Sequence, residues 1–278
     1  MTQTSSKPML EPGFHFSQYN LQDFVDCARR FELRHVRKLE WPAVQSAPVI
    51  EQERAMERGS LFHRLVQQYI TGIPAELIEN SIADEQLLHW WHNFITNDPL
   101  AAVPSPQRAE YTLSVPWEGF RLLAKYDVLA VNSGGRAVIM DWKTSQRRTP
   151  REVLMERVQT RLYPLLLALR NEGKSAPEEI FMIYWFAEFP EQPEVIFYNS
   201  VHMERDRDYI AGLIDEIQAC VSRGEFSLTE EPRKCAYCQY RSFCERGVAA
   251  GLADELAESA EPGEGLSLDF EQIGEIAF

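Results

Sequence analysis

The stretches Ala124-Lys125-Tyr126-Asp127 and Val138-Ile139-Met140-Asp141-Trp142-Lys143-Thr144 decide how this chain reads. Both lie in runs rich in β-branched and aromatic residues, and alternate side chains of a strand share a face. Asp141 and Lys143 therefore project together, with Ile139 behind them, while Trp142 turns to the opposite face. Asp127, late on the preceding strand, can stand beside Asp141. Two neighbouring carboxylates repel each other unless a cation neutralises them. Hard divalent ions such as Mg²⁺ or Mn²⁺ seek oxygens of this kind. A lysine beside such an ion can serve an attacking water and offset charge on a phosphoryl transition state. Taken alone, Asp-x-Lys also describes an ordinary ion pair at a strand end.

Working outward, Ala109 to Val115, Phe120 to Val131 and Ala137 to Trp142 predict an antiparallel meander, broken by turn signals at 117–119 and 132–135. Helical spacing predicts helices from Ser17, a candidate N-cap, to Arg37, then over Glu53 to Ile70 and Asp84 to Thr96. Further helices are expected over Arg151 to Leu169 and Glu204 to Val221, with strands at Ile180 to Ala187 and Glu194 to Val201. Trp41 to Ile50, with its two prolines, reads as a loop. Helices alternating with strands in this order imply an α/β fold, a mixed central sheet flanked by helices. The expected organisation is a flexible segment over 1–13, one domain over 14–250 and an acidic tail over 251–278.

An apolar fraction of 45% over 278 residues is that of a globular protein with a sizeable core. No apolar run approaches a membrane span, and the first residues lack a signal-peptide pattern, so the expected compartment is the cytoplasm. There, five cysteines suggest metal ligation before disulfides. The net charge of −14 argues at first against nucleic acid, but eight acids and no base fall within 251–278. Two stretches are locally basic, one from Arg29 to Lys38 and one from Arg147 to Arg161. Local fields set a phosphate-binding surface, so the charge alone decides nothing.

The pattern Asp127…Asp141-Trp142-Lys143 resembles the PD-(D/E)XK nuclease superfamily, and within it the RecB-like branch. Arg58-Gly59-Ser60-Leu61-Phe62-His63 is similar to the branch's Gly-x-x-x-His element, whose histidine ligates metal in relatives. Read alone, His63 is better taken as a core histidine on the face it shares with Val66 and Ile70. Gln159 and Tyr163 resemble its Gln-x-x-x-Tyr motif, and their spacing puts both on one helix face. Ser17-Gln18-Tyr19 through Cys27-Ala28-Arg29-Arg30-Phe31 resembles its opening helix. Tyr126 stands where the superfamily name has proline, and Ala124 where glycine is frequent. The resemblance implies a restriction-endonuclease-like core and hydrolysis of DNA single strands or ends with Mg²⁺ or Mn²⁺. It places the metal on His63, Asp127 and Asp141, and the catalysis on Lys143, with Gln159 and Tyr163 contacting the site. A DNA-binding or assembly subunit that keeps the fold without cleavage is the alternative. The chain has no Walker-type phosphate loop, so any helicase, repair or adaptation partner is a separate protein.

Glu110 opens its strand as either an assisting acid or a solvated end. The aromatic string Trp90-Trp91-His92-Asn93-Phe94 could stack bases, but its helical spacing reads better as core. Cys235-x₂-Cys238-x₅-Cys244 supplies three soft ligands, and Cys27 is the candidate fourth. Cys220 reads as a small buried hydrophobe. Zinc and iron–sulfur both accept four thiolates. The spacing resembles the iron–sulfur arrangement of AddB-type helicase–nucleases and CRISPR-associated adaptation nucleases, which implies a [4Fe–4S] cluster clamping the N- and C-terminal segments together. The tail, ending in apolar residues, reads as a solvated terminus, a partner-binding peptide or an autoinhibitory strand.

Overall fold

The computed structural model describes residues 10–11, 13–39, 47–171, 176–236 and 238–248. The acidic tail, residues 1–9 and residues 41–46 of the expected loop lie outside them. Among the described residues six strands form one sheet: β1 His15–Ser17, β2 Gln107–Trp117, β3 Phe120–Val131, β4 Ala137–Lys143, β5 Ile180–Phe186 and β6 Glu194–Phe197. The helices are α1 Gln18–Asp26, α2 Ala28–Phe31, α3 Ala47–Ile70, α4 Ala75–Glu79, α5 Glu85–Asn97, α6 Arg151–Glu156, α7 Val158–Asn171, α8 Ser200–Arg223 and α9 Pro232–Ala236. The mixed α/β architecture is as expected. No helix among the described residues is long and apolar enough to cross a membrane.

The meander β2–β3–β4 is antiparallel, β4 pairs β5 in parallel, and β6 closes that side antiparallel to β5. β2 occupies one edge of β3 along nearly its whole length. The other edge is shared: β1 runs parallel to residues 121–123, and β4 pairs only residues 128–131. The β1 register ends at Leu123 and the β4 register begins at Val128, and the sheet splays between them. Both halves of the predicted Asp127/Asp141 pair sit at this fork.

The sheet buries both faces. On β4, Ala137 and Ile139 join a core with α1, α7 and α8, including Phe16, Leu21, Phe24, Leu162, Leu166, Ile210 and Ile214. Val138, Met140 and Trp142 join a second core under α3 and α5, with Phe62, Trp90, Trp91, Phe94 and Trp185. The Phe62 and Trp185 rings stack 6.1 Å apart, and Phe94 meets both Trp142 and Trp185 edge-on. Trp90, Trp91 and Phe94 of the aromatic string are therefore core, as their spacing indicates.

Several boundaries differ from expectation. The single helix expected over 17–37 is broken at Cys27, whose backbone is extended (φ −167°, ψ 111°). The Arg29 amide there donates to the Ser227 carbonyl, so the chain turns toward its own C-terminal segment. β1 was not foreseen, because a three-residue strand takes its identity from a distant partner. The helix over 151–169 is two helices, parted at Arg157 (φ −66°, ψ 140°). α3 begins at Ala47 rather than Glu53. α8 begins at Ser200, with Asn199 accepting from the His202 amide.

Candidate active site

The fork holds two linked clusters. In the first, ligand atoms of His63 (α3), Glu110 (β2) and Asp127 (β3) all lie within 4.8 Å of one another. Asp127 and Glu110 stand opposite each other where the β2–β3 ladder skips a pair, between Ala109↔Val128 and Tyr111↔Tyr126. Glu110 has a left-handed backbone (φ 52°), which a non-glycine residue rarely adopts and which turns its carboxylate off the regular alternation. Asp127 bridges the splayed strands: its Oδ2 accepts the Trp142 amide at 2.7 Å, and its Oδ1 lies 3.2 Å from His63 Nδ1.

In the second cluster, Lys143 Nζ lies 2.8 Å from Asp141 Oδ2 and donates to Gln159 Oε1 at 3.0 Å. Gln159 Nε2 donates to Asp141 Oδ1 at 2.6 Å. Asp141, Lys143 and Gln159 thus close a triangle between β4 and α7. Tyr184, the register neighbour of Asp141 on β5, places its ring 5.1 Å from Lys143 Nζ and its hydroxyl 2.7 Å from Thr160 Oγ1. Neither Tyr184 nor Thr160 is marked by any sequence motif; parallel strand register is what brings Tyr184 in. Tyr163 packs into the core, its ring 5.0 Å from that of Tyr126 and its carbonyl accepting the Tyr126 hydroxyl.

Electrostatics of the first cluster favour a cation. Burial pulls His63 down, but the charge and hydrogen bond of Asp127 outweigh it and hold the imidazole up at about 9. Asp127 is buried, which favours its neutral form, yet His63 and the Trp142 amide keep it below the ordinary carboxylate range. Burial, and then the nearby Asp127 charge, push Glu110 up despite Lys125 Nζ at 2.8 Å. His63 Nε2 is buried and, among the described residues, meets no hydrogen-bond partner. An imidazole beside two facing carboxylates is a donor set that a divalent metal takes. Glu110 enters this set, whereas Asp141 is engaged by Lys143 and Gln159.

The basic stretches are largely spent on internal pairs. Arg30 and Arg34 hold Asp23, Arg29 and Arg37 hold Glu32, Arg148 and Arg151 hold Glu194, and Arg161 holds Asp206. At the other end of α1, Cys27, Cys235, Cys238 and Cys244 line one cavity together with Arg30, Lys234, Arg241 and Arg246. Cys220 is buried on α8, apart from that lining.

The family model of the PD-(D/E)XK nuclease superfamily matches residues 15–245. The chain belongs to that superfamily. Its members hydrolyse phosphodiester bonds with divalent metals, the chemistry that the donor set of this PD-(D/E)XK protein fits. Among solved structures, the one named "Putative exonuclease" from Eubacterium rectale is 11% identical, with 88% of this chain and 93% of that chain covered and a TM-score of 0.51. That likeness is one of fold. A second, SSO0001, is 14% identical over 85% of this chain and 88% of its own, with a TM-score of 0.41, too low to carry an argument. No curated protein matches the chain.

Proposed function

We propose that this PD-(D/E)XK protein is a deoxyribonuclease of the RecB-like branch, cutting DNA single strands or ends with Mg²⁺ or Mn²⁺. The observation that carries this reading is the convergence of His63, Glu110 and Asp127 one strand away from the Asp141–Lys143–Gln159 triangle. His63, Glu110 and Asp127, with Asp141 alongside, would hold the metal, which when bound supplies Lewis acidity toward a phosphoryl oxygen. The protein's own groups do the rest. Asp141 fixes Lys143 through an ion pair, and Gln159 holds both from the α7 side. Lys143 Nζ then presents a fixed positive charge where negative charge develops at phosphorus, and a donor that aligns the attacking water. Burial of the pair strengthens that field relative to water.

Four cysteines lining one cavity support the iron–sulfur reading of the second site, with Cys27, Cys235, Cys238 and Cys244 as ligands of a [4Fe–4S] cluster. A tetrahedral zinc holds its thiolates roughly 3.8 Å apart at Zn–S bonds of about 2.3 Å. A multi-iron cluster spreads its four thiolates more widely, and the resemblance in cysteine spacing is what favours it over zinc. Bound there, the cluster would supply a cross-link between α1 and the C-terminal segment.

Digestion of end-labelled single- and double-stranded DNA, with and without Mn²⁺, tests the assignment. The wild type is expected to cleave only with metal, and Asp141→Ala and Lys143→Ala to lose roughly 10²-fold or more in rate. A wild type that binds DNA without cutting it, with Asp141→Ala binding equally well, would make the chain an assembly subunit instead.

A further inference from the structure

We infer that Gln22 is a positioning residue for the cleavage centre: it fastens the first turn of α7, and with it Gln159, to the end of α1 held at the cysteine pocket. The inference rests on the nuclease reading of the Asp141–Lys143–Gln159 triangle and names a residue outside it.

Because Arg157 is extended, α7 starts afresh at Val158, and its first amides have no carbonyl in a preceding turn to bond. Val158 is fully buried, so water cannot serve its N–H. Gln22, on α1 and 136 residues away, accepts that N–H on Oε1 at 3.0 Å. The other end of the same amide is also committed, Nε2 donating to Asp26 Oδ1 at 3.2 Å. Turning the amide over would set donor against donor and oxygen against carboxylate, so one orientation satisfies both partners.

Asp26 is itself anchored. Arg30 binds its Oδ2 at 2.6 Å, and Lys234 approaches its Oδ1 at 3.6 Å. Both cations line the cavity formed by the four cysteines. On the far side, one residue beyond Val158, Gln159 contacts Asp141 at 2.6 Å and Lys143 at 3.0 Å. An unbroken polar path therefore runs from the cysteine pocket through Arg30, Asp26 and Gln22 to Val158, Gln159 and Lys143. Gln22 is its narrowest link, a single side chain joining two helices.

The test compares the wild type with Gln22→Met, which keeps the volume and loses the amide, and Gln22→Glu, which keeps an acceptor for Val158. Solvent exchange of the Gln159 side-chain amide is followed by nitrogen-15 NMR, and cleavage of end-labelled single-stranded DNA is measured with Mn²⁺. Gln22→Met is expected to speed that exchange and to lower kcat about tenfold with KM changed less than about twofold, as a small misplacement of a positioned group does. Gln22→Glu is expected to recover part of the loss, because it restores the acceptor for Val158 while its second oxygen faces the Asp26 carboxylate. Unchanged exchange in Gln22→Met overturns the inference. So does faster exchange with unchanged kcat in a cleaving background. A wild type that does not cleave defeats the nuclease reading, and the exchange comparison still decides whether Gln22 positions Gln159.

Discussion

Single residues at the fork divide the labour. Asp127 is both a structural bridge, accepting the Trp142 amide, and one side of the candidate metal site beside His63. Glu110 completes that site from a strained backbone, and burial and the Asp127 charge push its carboxyl above the ordinary carboxylate range. Glu110→Gln should therefore weaken Mn²⁺ binding by about tenfold or more, read by titration calorimetry, because a charged oxygen donor becomes a neutral one. Unchanged affinity would move the metal off Glu110. Asp141 and Lys143 were legible from their alternation on one strand, and His63 and Gln159 only through family resemblance. Glu110 could not be fixed from sequence, because its contribution depends on a positive φ and a skipped ladder pair that no local pattern encodes.

Elements carry the next level. α1 is tied into the fold by Asp23, a buried carboxylate that meets Arg30 at 2.8 Å, Arg34 at 3.0 Å and His35 at 2.8 Å. Burial works against its ionisation, but the His35 hydrogen bond and the two guanidinium charges prevail and lower its pKa from 3.8. A depressed carboxylate adds stability that is complete above its ordinary pKa and fades as pH falls through the lower folded value. Asp23→Ala should cost about 3 kcal/mol in urea unfolding at pH 7 by leaving the cations unpaired. That difference from the wild type should shrink below about pH 4, where Asp23 in the unfolded chain is already protonated. An equal difference at pH 7 and pH 3 would contradict the account. The long elements were visible in their periodicity: the β2–β4 meander, α5 and the strand of Asp141. The breaks at Cys27 and Arg157 were not. Neither position carries proline or glycine, and each extended backbone is set by a tertiary partner, the Ser227 carbonyl for one and the α1–α7 junction for the other.

At the scale of the whole molecule, a sheet buried on both faces supports the fork, and the N-terminal helix meets the C-terminal segment across the cysteine cavity. The fold class followed from element order alone, whereas the pairing of Cys27 with Cys235, Cys238 and Cys244 joins residues more than 200 positions apart and needed resemblance to suggest it. If the cavity holds a cluster, anaerobically purified protein absorbs in the visible and contains about four irons per chain. Cys238→Ala should then lose most of that iron and lower Tm, while Cys220→Ala should keep both. Retention of iron by Cys238→Ala, or a protein that carries zinc alone, would refute the cluster.

The central claim is that His63, Glu110 and Asp127 seat a divalent ion beside the Asp141–Lys143 pair. Anomalous diffraction from Mn²⁺-soaked crystals tests it most directly. The account predicts a manganese peak within coordination distance of His63, Glu110 and Asp127, lost in Asp127→Asn. A peak elsewhere, or a fork that stays empty at saturating Mn²⁺, would contradict it.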